Sequence, residues 1–227
     1  MTIFAEARTF PMRPYDGVIF DLDGVICSTD RYHYLSWKQI AGRLGIAFDE
    51  QSNSRIRGLS RMDSLEIILE GYDGVLTPAQ KEALAEEKNG IYRASLAGMS
   101  PDDLPQDVRR TLDALRAAGL RLAIGSSSRN TRFILERLGL ADFFDAVSDG
   151  TNITRAKPDP EVFLMAAKAL GLPPARCLVV EDARSGIAAA RAGGFDSAGI
   201  GEAAAAATYP MERIPELIAI CGAQACD

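Results

Sequence analysis

Several large classes of protein are excluded by what this 227-residue chain lacks. Its four cysteines, Cys27, Cys177, Cys221 and Cys226, are too few for a disulfide scaffold and lack the close paired spacing of zinc sites. They read as reduced thiols, and Cys221 and Cys226 have no further metal ligands near them in the chain. No apolar run reaches membrane-spanning length. No block of like charge is present, and the net charge of −6 argues against a nucleic-acid-binding surface or a membrane patch. The first fifteen residues, MTIFAEARTFPMRPY, contain an acid and no apolar stretch of signal-peptide length. There is no internal repeat or low-complexity tract; GEAAAAAT at 201–208 reads as a short helix or a surface turn. The expectation is a soluble, cytoplasmic, monomeric globular protein.

What the chain does have is concentrated where apolar runs end. Residues 17–29 read GVIFDLDGVICST, an apolar run closed by Asp21 and Asp23 with Leu22 between them and Gly24 after them. Alternate side chains of a strand share a face, so the two carboxylates point one way and Leu22 points into the core. Gly24 lets the chain turn tightly. Two acids a few ångströms apart in different surroundings can divide labour, one attacking an electrophile while the other moves a proton. A solvated acidic strand end is the alternative reading of this stretch alone.

Three further apolar segments end in polar clusters: 120–126 (LRLAIGS), 146–148 more weakly, and 177–181 (CLVVE). Continuous apolar runs suit parallel strands covered on both faces. Helical patterns lie between them over 106–118, 131–138, 160–170 and 186–192, stopped by Gly119, Gly139, Gly171 and Gly193, each suited to the left-handed position after a helix. This alternation predicts an α/β fold, a doubly wound parallel-sheet (Rossmann-like) core whose ligands gather at the strands' carboxyl ends. Residues 30–96 break the rhythm, with helices expected at 30–44, 49–55, 60–69 and 78–96 and no strand. An insertion directly after the first strand lies over the strand ends as a lid, unless it is a bundle packed to one side. The expected division is a core of 1–28 and 97–227 and an inserted helical cap domain of 29–96.

The second run ends in Gly125-Ser126-Ser127-Ser128-Arg129-Asn130. Hydroxyls and amides at a helix start, backed by a cation, make an anion site, unless Ser128 or Asn130 is only a helix cap. Lys157, in RAKPDP, is fixed by Pro158 and followed by a second proline, and a lysine held rigidly before a helix can balance a phosphate and a carboxylate together; a solvent-facing lysine is the alternative. Glu181 and Asp182 close the fourth run. With Asp21 they are the oxygen ligands a hard dication such as magnesium (Mg2+) takes, although a helix cap with a first-turn acid would look the same.

In chain order, DxD, serine with arginine, lysine and an acidic pair resemble the haloacid dehalogenase superfamily of phosphoryl-transfer enzymes, from Gly17 to about Ile200. The resemblance implies that Asp21 is the nucleophile taking the phosphoryl group and Asp23 the general acid/base. It implies that Ser126 and Lys157 hold the transferring group, with magnesium between Asp21, the Asp23 backbone carbonyl, Glu181 and Asp182. Phosphoryl transfer asks for charge neutralisation and in-line positioning, which such a cluster supplies.

Within the insertion lie His33 and Trp37 four apart, Arg57-Gly58-Leu59-Ser60-Arg61 followed by Ser64, and Lys88-Asn89. Singly, His33 reads as a surface residue, Trp37 as packing, and Arg61 and Lys88 as solvated charges. Jointly they are similar to the cap of those superfamily members that interconvert β-glucose 1-phosphate and glucose 6-phosphate through a bisphosphate. On that resemblance His33 couples lid closure to Asp23, Trp37 and Lys88 line the sugar site, and Arg61 holds the phosphate farther from Asp21. Arg57, Gly58, Leu59, Ser60 and Ser64 shape the same pocket, and Ser128, Arg129 and Asn130 reach that phosphate from the core. A mutase needs a second anion site because its bisphosphate must turn round; a phosphatase needs one. The partners implied are a small phosphosugar and its bisphosphate, with a sugar-phosphate phosphatase or a non-catalytic phosphosugar sensor as other readings. Arg57 and Arg129 stand where the pattern has lysine, Met62 where it has an acid, and Ala183 where serine is common.

Overall fold

A computed structural model describes residues 14–56 and 59–223. The first element is β1 (Gly17–Phe20), buried at every residue. Four helices follow without a strand: α1 (Asp30–Arg43), α2 (Glu50–Ser54), α3 (Arg61–Leu69) and α4 (Pro78–Leu96). Side chains set three of these starts. Asp49, Ser60 and Thr77 each accept a first-turn backbone N–H, and Thr77 and Gln80 bond reciprocally around Pro78. Alternation then resumes with α5 (Gln106–Ala117), β2 (Arg121–Gly125), α6 (Thr131–Arg137) and β3 (Ala146–Ser148). It continues through α7 (Glu161–Leu170), β4 (Cys177–Glu181), α8 (Arg184–Ala192), β5 (Asp196–Gly199), β6 (Tyr209–Pro210) and α9 (Leu217–Ile220). The alanine-rich tract is a 3-10 helix over Gly201–Ala206.

The strands form one parallel sheet in the order β3-β2-β1-β4-β5-β6. β1 lies between β2 and β4, so the chain winds outward in opposite directions from it, and the crevice at the strands' carboxyl ends opens at this switch point. Phe20 is level with both Ile124 and Val180, which brings the three central strands to one edge together. Val18, Phe20, Ile124 and Val180 pack on one face with Leu112 of α5 and Ile134 of α6, while Ile19 and Val179 pack on the other with Phe163 of α7 and Ala189 of α8. Each large apolar side chain fully buried this way contributes roughly 1.5–3 kcal/mol.

The insertion has its own apolar cluster, built from Trp37, Ile40, Phe48, Ile56, Leu65 and Ile68. α4 joins the two regions: Ala85 packs in the insertion, whereas Tyr92 and Leu96 belong to the cluster under the sheet. One expectation needs correction. Gly119, Gly139 and Gly171 do take positive φ, but Gly193 stays right-handed at φ −83° and the left-handed residue is Gly194 at 77°. Gly193 answers a packing need instead, because a Cβ there would run into the Phe195 ring. Among the described residues no helix is long and apolar enough to cross a membrane.

Candidate active site

A cavity of about 1040 Å³ lies between the strand ends and the insertion. Sixteen of the site residues named from sequence fall in the described chain, and fifteen of them line this cavity; Glu181 lies behind them, 1% exposed. Arg57 and Gly58 lie outside the described residues.

Asp21 follows β1 directly and extends its pairing, its backbone N–H donating to Val180 O at 2.9 Å. Lys157 Nζ donates to Asp21 Oδ1 and to Glu181 Oε1, both at 2.5 Å, and all three side chains are buried. Burial alone would lower the lysine, but the two carboxylates outweigh it and hold the ammonium above its ordinary value. Lys157 is therefore not a solvent-facing lysine. Glu181 Oε2 accepts the backbone N–H groups of Asp182 and Ala183, each at 3.0 Å, so both its oxygens are engaged. Asp182 is pushed up to about 8, first by burial and then by Asp21, Glu181 and Asp23. It does not cap α8; Ala183 holds that position without a side-chain bond.

Gly24 explains how the DxDG turn meets the acidic pair. At φ 82° its missing side chain leaves the room that the Asp182 carboxylate occupies. Asp21, Glu181 and Asp182 each bring one oxygen within 4.8 Å of the others. Three carboxylates against the one Lys157 ammonium, with an oxygen from each gathered so closely, fit a hard dication such as magnesium.

Asp23 differs from Asp21 in its surroundings. Thr29 donates to it twice, from its backbone N–H to Oδ1 at 2.7 Å and from its hydroxyl to Oδ2 at 2.5 Å. Burial outweighs these bonds and, with the nearby Asp21, pushes Asp23 up to about 6. His33 Nε2 lies 3.5 Å from Asp23 Oδ2, and Lys88 Nζ lies 2.8 Å from His33 Nδ1. Burial, then Lys88 and Arg61, lower His33 well below its ordinary range, so the ring is neutral. When Lys88 is an ammonium it can only donate, so Nδ1 then accepts and the ring proton sits on Nε2, facing Asp23. Lys88 is lowered to about 7 by burial and by Arg61, with its ammonium 5.0 Å from the Trp37 ring centroid.

Arg61 and Arg129 also line the cavity. Arg61 donates to Glu86 at 2.9 Å, and burial and Arg129 both lower it. Ser126 is buried, and its hydroxyl accepts the Ser128 N–H at 3.2 Å, while the Ser128 hydroxyl accepts the Asn130 N–H at 3.1 Å. Asn130 holds the N-cap position of α6 without capping by its side chain. It reaches across to the insertion instead, donating to Asn89 Oδ1 at 2.8 Å and accepting from Arg93 at 3.2 Å. Two named residues use their hydroxyls locally: Ser60 caps α3 through Asp63, and Ser64 donates to Ser60 O at 2.9 Å. Thr29 and Tyr92 do not stand out in the sequence. Thr29 closes the first segment but reads as an ordinary polar residue after a strand, and Tyr92 reads as one apolar position of α4.

A family profile for haloacid dehalogenase-like hydrolases matches residues 15–194, and the chain belongs to that family. Within it, the chain resembles β-phosphoglucomutase. It is 42% identical over 187 residues to β-phosphoglucomutase of Bacillus subtilis (strain 168), covering 82% of this chain and 83% of that protein. It is 35% identical over 184 residues to fructose-1-phosphate phosphatase YqaB of Escherichia coli (strain K12), covering 81% and 95%. The crystal structure of β-phosphoglucomutase from Clostridium difficile superposes with a TM-score of 0.85 at 34% identity, covering 89% of this chain and 93% of that one.

Proposed function

We propose that the protein is a magnesium-dependent phosphomutase that interconverts β-glucose 1-phosphate and glucose 6-phosphate through a glucose 1,6-bisphosphate, acting as a cytoplasmic monomer with residues 29–96 as its cap. The observation that carries this reading is that the cavity is lined by Arg61 and Arg129 in addition to Lys157 beside Asp21. Arg61 and Arg129 are close enough to oppose each other's charge, and Glu86 is the carboxylate bonded to Arg61. A second phosphate would neutralise that pair while the first is held at Asp21, and a phosphatase acting on a monophosphate has no use for it.

Lys157 orients the Asp21 carboxylate, which attacks the phosphorus in line. The phosphorus–oxygen bond to the sugar breaks, and Asp23 gives its proton to the departing sugar oxygen. When the group attacked is one end of the bisphosphate, this leaves phosphorylated Asp21 and glucose 6-phosphate, which departs. β-Glucose 1-phosphate then gives its 6-hydroxyl proton to Asp23 and takes the phosphoryl group, breaking its bond to Asp21, and the bisphosphate so formed turns round to present its other phosphate. Magnesium bound through Asp21 and Asp182, with Glu181 supporting and the Asp23 backbone carbonyl as a further oxygen, supplies the neutralisation two facing anions need. Lys88 and His33 hold the Asp23 carboxylate from the cap side, so its proton transfer is tied to the cap's position. Trp37 and Lys88 border the sugar.

The test is β-glucose 1-phosphate with magnesium and a trace of the bisphosphate, followed by glucose 6-phosphate formation and inorganic phosphate release together. Isomerised product well in excess of released phosphate is expected. Steady phosphate release without glucose 6-phosphate would replace this reading by a sugar-phosphate phosphatase, which the 35% identity to such an enzyme keeps as the second reading.

A further inference from the structure

Tyr92 lies on α4, 1% exposed, and has no part in the chemistry described so far. Its hydroxyl is 2.8 Å from Thr29 Oγ1, and Thr29 is itself fully buried. A hydroxyl carries one proton, and Thr29 gives its own to Asp23 Oδ2. Tyr92 is therefore the donor of the bond between them, and the chain runs from Tyr92 O–H to Thr29 O–H to the Asp23 carboxylate. Successive hydrogen bonds in a dry site polarise one another, so each strengthens the next. The Tyr92 ring also packs against the His33 ring, centroids 4.1 Å apart, and the Lys88 ammonium lies 4.6 Å from its centroid. One side chain thus touches Thr29, His33 and Lys88, which surround Asp23 on this side. Its ring is anchored in the apolar cluster beneath the sheet, not in that of the insertion.

We propose that Tyr92 is a positioning residue for the acid/base step: its hydroxyl fixes Thr29 against Asp23, and its ring fixes the plane of His33. The inference rests on the acid/base role given to Asp23 above, but not on whether the net reaction is isomerisation or hydrolysis. Tyr92→Phe removes the hydroxyl and keeps the ring. With whichever phosphosugar the parent enzyme turns over, kcat is expected to fall about tenfold, a fraction of the 10²–10⁴ that general acid–base catalysis supplies, with KM within twofold. Thr29→Val is expected to lose at least as much, and Tyr92→Phe added to it is expected to cost less than a further twofold, because the link it acts through is already gone. Retained kcat in Tyr92→Phe, a loss confined to KM, or an undiminished second loss in the Thr29→Val background would each overturn the proposal. Full kcat in Thr29→Val alone would overturn it even if Tyr92→Phe failed to fold. A parent enzyme that releases phosphate without isomerising would count against the mutase reading only, and the variant ratios would still be measured on that hydrolysis.

Discussion

On the sheet side of the cavity, Asp21, Lys157 and Glu181 are 7, 3 and 1% exposed and joined by bonds of 2.5 Å. On the insertion side, Arg61 is held by Glu86, whose side chain is 73% exposed. Buried charges of the first kind cannot change partners cheaply, since removing one leaves another uncompensated at roughly 3–5 kcal/mol. The carboxylate of the second kind of pair is exposed although Arg61 is partly buried, and such a surface partner is worth about 0–1 kcal/mol, so an incoming anion displaces it at little cost. The two walls differ accordingly in what they can do. The sheet wall is rigid because parallel register fixes where Asp21 and Glu181 end up, and it suits steps whose geometry must not vary. The insertion wall is exchangeable, and it suits a group that must be gripped, released and gripped again from its other end.

The sheet wall is most vulnerable at Asp21. Asp21→Asn keeps the shape of the side chain, and Lys157 keeps Glu181 as its counter-ion, so the fold is expected to survive. Turnover is expected to fall by at least about 10³-fold, as losses of a nucleophile do. A folded variant with ordinary turnover would remove the nucleophile from the sheet wall and with it the division of labour.

Magnesium is expected to act on the sheet wall alone. A ligand at about a hundred times its dissociation constant stabilises the folded state by about 2.7 kcal/mol. In a chain of this size that corresponds to a rise in Tm of about 5–10 °C, measured by thermal unfolding with and without the ion. Asp182→Asn should remove most of that rise and Arg61→Ala should leave it intact. An unchanged rise in Asp182→Asn would show that the acidic pair is not where the ion binds.

Much of the sheet wall is legible in the sequence. The runs GVIF, LRLAIG and CLVVE are continuous because both faces of a central parallel strand are covered, and each delivers its polar cluster to the same edge. The edge strand β3 is only weakly legible, and the strands beyond β4 are not legible. β5 is DSAG, four small or polar residues, and β6 is two residues ending in proline, so neither carries an apolar signal. The insertion's helices are legible from their periodicity, but their use is not. Lys88 looks like a solvated helix charge and is 3% exposed. Asn130 looks like a helix cap and instead reaches across to Asn89, a contact that depends on where α4 packs against the core. Thr29 and Tyr92 are 63 positions apart, and nothing local in either one announces a shared hydrogen bond.

The smallest expected effect tests the exchangeable wall most directly. If Glu86 occupies Arg61 as a stand-in for a phosphate, then Glu86→Gln lowers the cost of displacing it without altering the chemistry. An exposed pair worth about 0.2–1 kcal/mol corresponds to roughly a one-and-a-half- to fivefold change in an equilibrium constant, so KM for the phosphosugar should fall by that factor. The expected kcat is unchanged, because Glu86 bonds to none of Asp21, Asp23 or Lys157. The expected Tm is within about a degree of the parent, since the pair stabilises the fold by little. A higher KM would mean that Glu86 orients Arg61 for its ligand and does not compete with it, and the insertion wall would then hold its partners as firmly as the sheet wall does.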